Sequence, residues 1–396
     1  MSRVPAVVFG SGVTALGVVR ALRADGVTTY LVAPPHDVAA RSRGVRFLVD
    51  GSMVSRSREG LRSFLSWSDL DHCVLIPCSD DWVRAIADLM DHDAGSVMST
   101  TPLPSVVERL VDKRAFAQTL DDLDIDRPRT FEVRSVDDLA QIDDDELPSF
   151  FLKPHDSQRF GKEFHMKAFP LTTREEAMRL LERSLRGGHE VLAQERISGP
   201  PQNHVFLDGF VDRRGRVAAL LARRRIRMFP AGFGNSTDTV TIPLPEVTDA
   251  VESLHRLFAG IGFHGMFDAE FKRDGSTGRH KIIEVNARPW WQIELARAAG
   301  MDVVHMAYLD ALGVDVDTAS GYRIGRRWVH TFPDLRARWE NPRVRSDSSR
   351  PEEGWFSARH AVFQWSDLRP GLAEIGRVAR RVAFKLTFRR EAPPDR

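Results

Sequence analysis

The chain has 396 residues, more than one hydrophobic core ordinarily serves, so two or three domains are expected. A hydrophobic fraction of 42% and a charged fraction of 28% are those of a globular protein, and a formal charge of +1 excludes a chain-wide pull towards nucleic acid or membrane. Only Cys73 and Cys78 occur, which excludes a disulfide framework and fits reduced, buried thiols, and no apolar run reaches the ~18 residues that span a bilayer.

The chain begins directly in a strand, without a secretory pattern, so a cytoplasmic location is expected. Residues 5 to 100 alternate strand and helix: a strand at Ala6 to Phe9, a turn at Gly10 to Ala15, a helix from Leu16 to Asp25 and a strand at Thr28 to Ala33. An apolar stretch follows at Val45 to Val49, then a helix around Leu61 to Trp67, a strand at Cys73 to Pro77 and a helix at Asp81 to Asp91. Such alternation predicts a parallel sheet wrapped by helices. The Gly10-x-Gly12-x-x-Ala15 spacing invites a dinucleotide reading, but the second strand ends Val32-Ala33-Pro34-Pro35, without the acid a ribose requires. Ser79 or Asp80 is placed to cap the helix after the Val74 strand.

From Pro104 the pattern changes. A helix is predicted over Ser105 to Leu120, carrying Lys113, then an apolar strand Phe150-Phe-Leu-Lys153-Pro154, an amphipathic helix Glu175 to Leu185, and a strand running through Gln194, Glu195 and Ile197 into a turn. Two strands, Val205 to Val211 and Val217 to Arg223, lead into the basic run Arg223-Arg-Arg225-Ile-Arg227, and residues 246 to 260 read as a helix. With 49 Arg among 56 basic residues, each of the seven Lys positions gains weight.

Phe267-Asp-Ala-Glu270-Phe-Lys and Lys281-Ile-Ile-Glu284-Val-Asn286-Ala-Arg288 flank a glycine-bearing turn, which predicts an antiparallel hairpin. Symmetry about Thr277 sets Glu270 opposite Glu284 and Asp268 opposite Asn286 on one face. Facing carboxylates repel unless a positive charge lies between them, and hard oxygen donors of this kind suit magnesium. A solvated polar face is the alternative reading of the same residues.

Glu270 followed by Glu284-Val-Asn286-Ala-Arg288 resembles the metal-binding end of the ATP-grasp superfamily, and the resemblance extends over about residues 5 to 313. It implies an α/β chain: an N-terminal Rossmann-like pre-ATP-grasp domain (1–103), a small lobe (104–188) and a large lobe (189–315) of a two-lobed α+β ATP-grasp domain, and a C-terminal extension (316–396). Trp328 to Arg338 and His360 to Pro370 are similar to an extension of one group of carboxylate–amine ligases.

The resemblance further implies that Glu270, Glu284 and Asn286 hold magnesium or manganese on ATP, and that Lys113 and Lys153 reach the phosphates. By the same resemblance, His155 to Phe164 forms a loop covering them, backbone near Gln194, Glu195 and Ile197 meets adenine, Gln202 or Asn203 meets ribose, and Arg288 and Arg225 contact the reacting groups. The glycine turn faces the carboxylate substrate, and Asp80 lies beside the second substrate. The implied activity is an ADP-forming ligase that activates a small carboxylate as an acyl phosphate and joins it to an amine. Alternatives are a bicarbonate or thiol acceptor, or a nucleotide-binding protein without turnover; an NAD oxidoreductase is opposed by Ala33.

Residues 371 to 390 have apolar residues at helical spacing and six basic side chains. Docking on the protein body is expected, with peripheral contact to an anionic membrane as the alternative. The residues leave monomer or homo-oligomer open.

Overall fold

In the computed structural model, residues 3–155, 157–232, 234–340 and 353–389 are described. The first unit is β1 (Ala6–Phe9), α1 (Gly12–Ala24), β2 (Thr29–Ala33), β3 (Arg46–Asp50), α2 (Arg58–Ser68), β4 (Val74–Pro77), α3 (Asp80–Asp93) and β5 (Met98–Ser99). Its strands form a five-stranded parallel sheet in the order β3-β2-β1-β4-β5. β1 and β4 are buried at every position, as continuous apolar runs require when helices cover both faces.

The sheet turns into α1 through Gly10, whose φ of +141° and close approach to Cys78 exclude a side chain: an added Cβ would lie 2.7 Å from the cysteine Cβ. α1 begins at Gly12, earlier than predicted, so the glycine turn is itself the helix start. Both cysteines are buried free thiols, and burial pushes each up to about 12.

The next unit has α4 (Pro104–Val111), α5 (Lys113–Asp122), β6 (Thr130–Val133), β7 (Phe150–Pro154), α6 (Ser157–Phe164), β8 (Phe169–Pro170), α7 (Arg174–Arg186) and β9 (Val191–Glu195). The strands pair antiparallel as β6-β9-β7-β8. Two expectations are corrected here. The single helix over Ser105 to Leu120 is two helices, because Asp112 leaves helical geometry and caps α5, accepting from the amides of Arg114 and Ala115 at 2.9 and 2.8 Å. The loop expected from His155 to Phe164 is helical from Ser157, and its Phe160 packs in the lobe's core.

The third unit is built on β10 (His204–Val211), β11 (Val217–Phe229), β12 (Asn235–Ile242), α8 (Thr248–Ile261), β13 (Gly265–Arg273), β14 (His280–Asn286), α9 (Ile293–Ala299) and α10 (Val303–Ala311). β15 (Arg327–Val329), α11 (Thr331–Glu340), β16 (Arg359–His360) and α12 (Leu368–Arg389) complete the chain. Here the sheet order is β14-β13-β10-β11-β12-β15-β16, so strands from beyond residue 316 extend this sheet. β11 runs six residues past the predicted end at Arg223, which puts the whole basic run into a paired strand.

α1 and the α9–α10 pair share one core, in which Leu16, Val19, Ile293, Leu295, Val303 and Tyr308 meet. Gly17 permits the approach, since a Cβ there would sit 2.4 Å from Ile293 Cγ2. α12 docks on the body through buried Pro370, Gly371 and Glu374, but its apolar residues Leu372 and Ile375 are exposed. The helix thus docks as expected at its start but with these two apolar residues outward, and the side chains of 381–390, the rest of the expected stripe, lie outside the described residues.

Candidate active site

β13 and β14 bring the acids together in the predicted pairing: Asp268 opposite Asn286 and Glu270 opposite Glu284. Towards the turn the pairing differs from the symmetric expectation, with Phe271 opposite Ile282 and Lys272 opposite Lys281. The extra residue, Ile283, is accommodated as a bulge beside Glu284.

β10 and β11 supply the surroundings, because His204, Phe206 and Asp208 alternate onto the face of β13 that carries Asp268 and Glu270. Arg223 donates from Nε to Asp208 and from Nη2 to Asp268, both at 2.6 Å, and lies 3.8 Å above the Phe206 ring. Arg225 donates to Glu270 at 2.9 Å and to Ser236 Oγ at 2.7 Å, while His204 Nδ1 lies 2.6 Å from Glu270 Oε1.

Burial and the nearby Arg225 guanidinium pull the His204 imidazole down to about 4, so it is neutral near pH 7 and donates Nδ1–H to Glu270. Burial opposes the charge on Glu270, but Arg225, His204 and Arg223 outweigh it and hold this carboxyl well below the usual range. Glu284 takes the opposite shift. Burial raises its carboxyl, Lys153 counters in part, and the charges of Glu270, Asp268 and Asp80 add to the rise.

Glu284 is open to solvent despite the protein around it, and it makes no hydrogen bond or ion pair among the described residues. Those residues contain no grouping of three His, Cys, Asp or Glu side chains able to hold a metal. The donor set is smaller: two facing carboxylates and the Asn286 carbonyl, whose Oδ1 accepts from Arg288 at 2.8 Å. An unpartnered acid beside an ionised one fits a hard divalent cation, whose other ligands are ordinarily water and phosphate oxygens.

Arg288 closes the site from the hairpin's far end. Its Nε donates to Asp80 Oδ1 at 2.6 Å, joining the first turn of α3 to β14. Asp80 thus meets the arginine directly, and Ser79 occupies the N-cap position without a side-chain cap bond.

Lys113, Lys153 and Gln194 line one crevice with Leu120, Leu192 and Ile282, between α5, the small-lobe sheet and β14. Lys153 Nζ donates to Gln194 Oε1 at 3.3 Å, and Lys113 Nζ donates to the carbonyls of Pro154 and, at 2.6 Å, His155. Glu195, Ile197 and Gln202 are not among its lining residues. Glu195 accepts from the Arg129 amide at 2.9 Å and from Lys281 at 3.3 Å, the Ile197 carbonyl from Lys272 at 2.6 Å, and Gln202 donates to the Ile226 carbonyl at 3.2 Å.

Three features escaped the sequence reading. His204 was missed although period two along β10 places it beside Phe206 and Asp208. Lys167 is accessible, hydrogen-bonded to Asn235 Oδ1 at 2.7 Å, and lies within electrostatic reach of Glu284 and Glu270. The glycine turn is already filled: the Gly12 amide donates to both Asp37 carboxylate oxygens at 3.0 and 2.9 Å, and Ala39 donates to the same group at 2.9 Å. The start of α1 therefore holds the chain's own anion where a pyrophosphate or substrate carboxylate was considered.

No family model matches the chain. It is 26% identical over 226 residues to a D-aspartate ligase of Enterococcus faecium, a match covering 54% of this chain and 53% of that protein, so the aligned part spans about half the length of the curated relative. The structure is similar to the L-amino acid ligase of Bacillus licheniformis, with a TM-score of 0.61, 12% identity and coverage of 83% of this chain and 79% of that one. It is also similar to the N5-carboxyaminoimidazole synthetase of Staphylococcus aureus in complex with ADP, with a TM-score of 0.61, 13% identity and coverage of 82% and 80%. In its fold, a parallel-sheet unit followed by two antiparallel lobes with an acid-bearing hairpin at the edge of the larger, the chain is similar to these solved ligase and synthetase structures.

Proposed function

We propose that the chain is an ATP-dependent, ADP-forming carboxylate–amine ligase. The γ-phosphoryl group of ATP passes to a carboxylate oxygen, ADP leaves, an amine attacks the acyl phosphate carbon, and phosphate departs as the amide forms. The observation that carries this reading is the facing pair Glu270 and Glu284, with Asn286 and Arg288 on the same strand end and Lys153 within electrostatic reach. The D-aspartate and L-amino acid ligases among the relatives support the ligase class, and the ADP complex of the synthetase supports the nucleotide.

Magnesium or manganese held by Glu270, Glu284 and Asn286 would neutralise phosphate charge. The chain's own residues do the rest. Arg225 and neutral His204 fix Glu270 as an ionised ligand in one orientation. Lys113 and Lys153, at the mouth of the crevice, offer fixed positive charge to phosphate oxygens, and Arg288 meets the transferred group on exchanging Asp80 for it. Small-molecule carboxylate and amine substrates follow from the chemistry. Gln194 lines the crevice assigned to the nucleotide, while Glu195, Ile197 and Gln202, which do not line it, hold the segment after β9 through their hydrogen bonds to Lys281, Lys272 and the Ile226 carbonyl.

Hydroxylamine tests this reading, because it intercepts mixed anhydrides without needing an acceptor pocket. Across a panel of amino acids with ATP and magnesium, the expected products are a hydroxamate and ADP, with ADP release dependent on the carboxylate. AMP in place of ADP would identify an adenylating enzyme and overturn the mechanism, and carboxylate-independent ADP would identify a plain ATPase.

A further inference from the structure

The first half of α12 presents its apolar side outward. Trp365, just before the helix, and Leu368, Leu372 and Ile375 within it follow one another at intervals of three and four, the spacing of one helical face. They are 94%, 48%, 66% and 46% exposed, while Pro370, Gly371 and Glu374 on the other side are buried against the body. Gly371 is seated against Phe363, and Phe363 in turn packs on Phe332 of α11, so the ridge stands on a packed base. Burying apolar residues against the body was the ordinary outcome for such a stripe, and here the helix is docked the other way round.

The charge of the same segment says what covers the ridge. Between residues 369 and 390 the sequence has seven basic residues against the single acid Glu374, in a chain whose formal charge is only +1. A second copy of this helix would bring the same positive charge against itself. An anionic surface is attracted instead, and a docked tryptophan and leucines beside arginines are what the boundary between headgroups and acyl chains accepts. No described helix is long and apolar enough to cross a membrane, so the contact is one of lying on the surface.

We infer that α12 is a peripheral membrane anchor: the ridge Trp365–Leu368–Leu372–Ile375 enters the interface of an anionic bilayer, and the exposed Arg369, Arg377 and Arg380 meet the headgroups. The test is flotation of the full chain with phosphatidylcholine vesicles, either pure or with about a third phosphatidylglycerol. The wild type is expected to float with the anionic vesicles and to stay behind with the neutral ones, a comparison that needs no variant. High salt and the double variant Leu372→Glu/Ile375→Glu are each expected to lower the bound fraction about tenfold, as is Arg380→Glu/Arg381→Glu. The melting temperatures of both variants are checked against the wild type. Failure of the wild type to float with anionic vesicles overturns the inference. So does a wild-type dimer by light scattering that Leu372→Glu/Ile375→Glu converts to monomer, because a second copy would then own the ridge.

Discussion

Glu284 is an acid whose charge its surroundings in the folded chain oppose. Its pKa is raised by burial and by three neighbouring carboxylates. A carboxyl with a folded pKa above its unfolded value favours the folded state when protonated. It costs stability once the pH rises past the folded pKa, and the cost disappears as pH falls below the ordinary carboxylate range. Glu284→Gln is therefore expected to melt above the wild type near pH ~7.5 without divalent ions, with the gain gone by about pH 4. The same variant should lose turnover by about 10²-fold or more, since one anionic ligand is removed at unchanged volume. Added magnesium should raise the melting temperature of the wild type more than that of the variant. Wild-type-like turnover in the variant would refute the metal assignment.

At the scale of elements, β10, β11 and β13 form one polar face inside a sheet, held by Arg223 between Asp208 and Asp268. All three side chains are largely buried, and burial raises the Asp208 carboxyl although Arg223 opposes the rise. Such a triad adds little net stability compared with apolar packing, but removing its cation strands two buried acids. Arg223→Met is expected to cost about 3–5 kcal/mol in urea unfolding, and adding Asp208→Asn should return part of it by removing one stranded charge. Unchanged stability in the single variant would mean that water reaches the triad and that its burial is not sustained in solution. The strand arrangement also engages the Arg225 guanidinium with Glu270 and Ser236, so in the proposed ligase it positions a ligand and is not a free substrate fork.

Across the whole molecule, contacts between units link the first sheet to the rest. Arg20 of α1 donates to Asp367 at 3.0 Å, Glu294 at 3.2 Å, and the carbonyls of Ala361 and Val362 at 2.8 and 2.9 Å. One buried guanidinium thus joins the start of the chain to α9 and to the segment before α12. Arg20→Met is expected to destabilise by about 3–5 kcal/mol, because Asp367 and Glu294 lose their shared counter-charge. The loss should appear in a single calorimetric transition if the units melt together. Two separated transitions in the wild type would sink this account of the tie. Arg288 and Asp80 make a second link, so the first unit shapes the active site as well as flanking it.

Glu270, Glu284, Asn286 and Asp268 were legible in the sequence because period two and a glycine turn are local, and both strands of the hairpin lie within a short stretch of chain. Lys113 and Lys153 were singled out by family resemblance alone, since a lysine at a helix start or strand end has no local signature of phosphate binding; the structure shows that both line one crevice. Only the tertiary structure decided that Asp37 fills the glycine turn, that Arg225 and His204 hold Glu270, that Asp80 holds Arg288, and that the ridge on α12 faces outward. Each of these joins residues distant in sequence, and the choice among competing partners for a carboxylate or an apolar face is made by packing, which sequence spacing does not encode. The bulge at Ile283 marks the boundary between the two: symmetry about the turn predicted the pairing of the acids, but an extra residue taken up beside Glu284 is what reconciles that pairing with the turn as it folds.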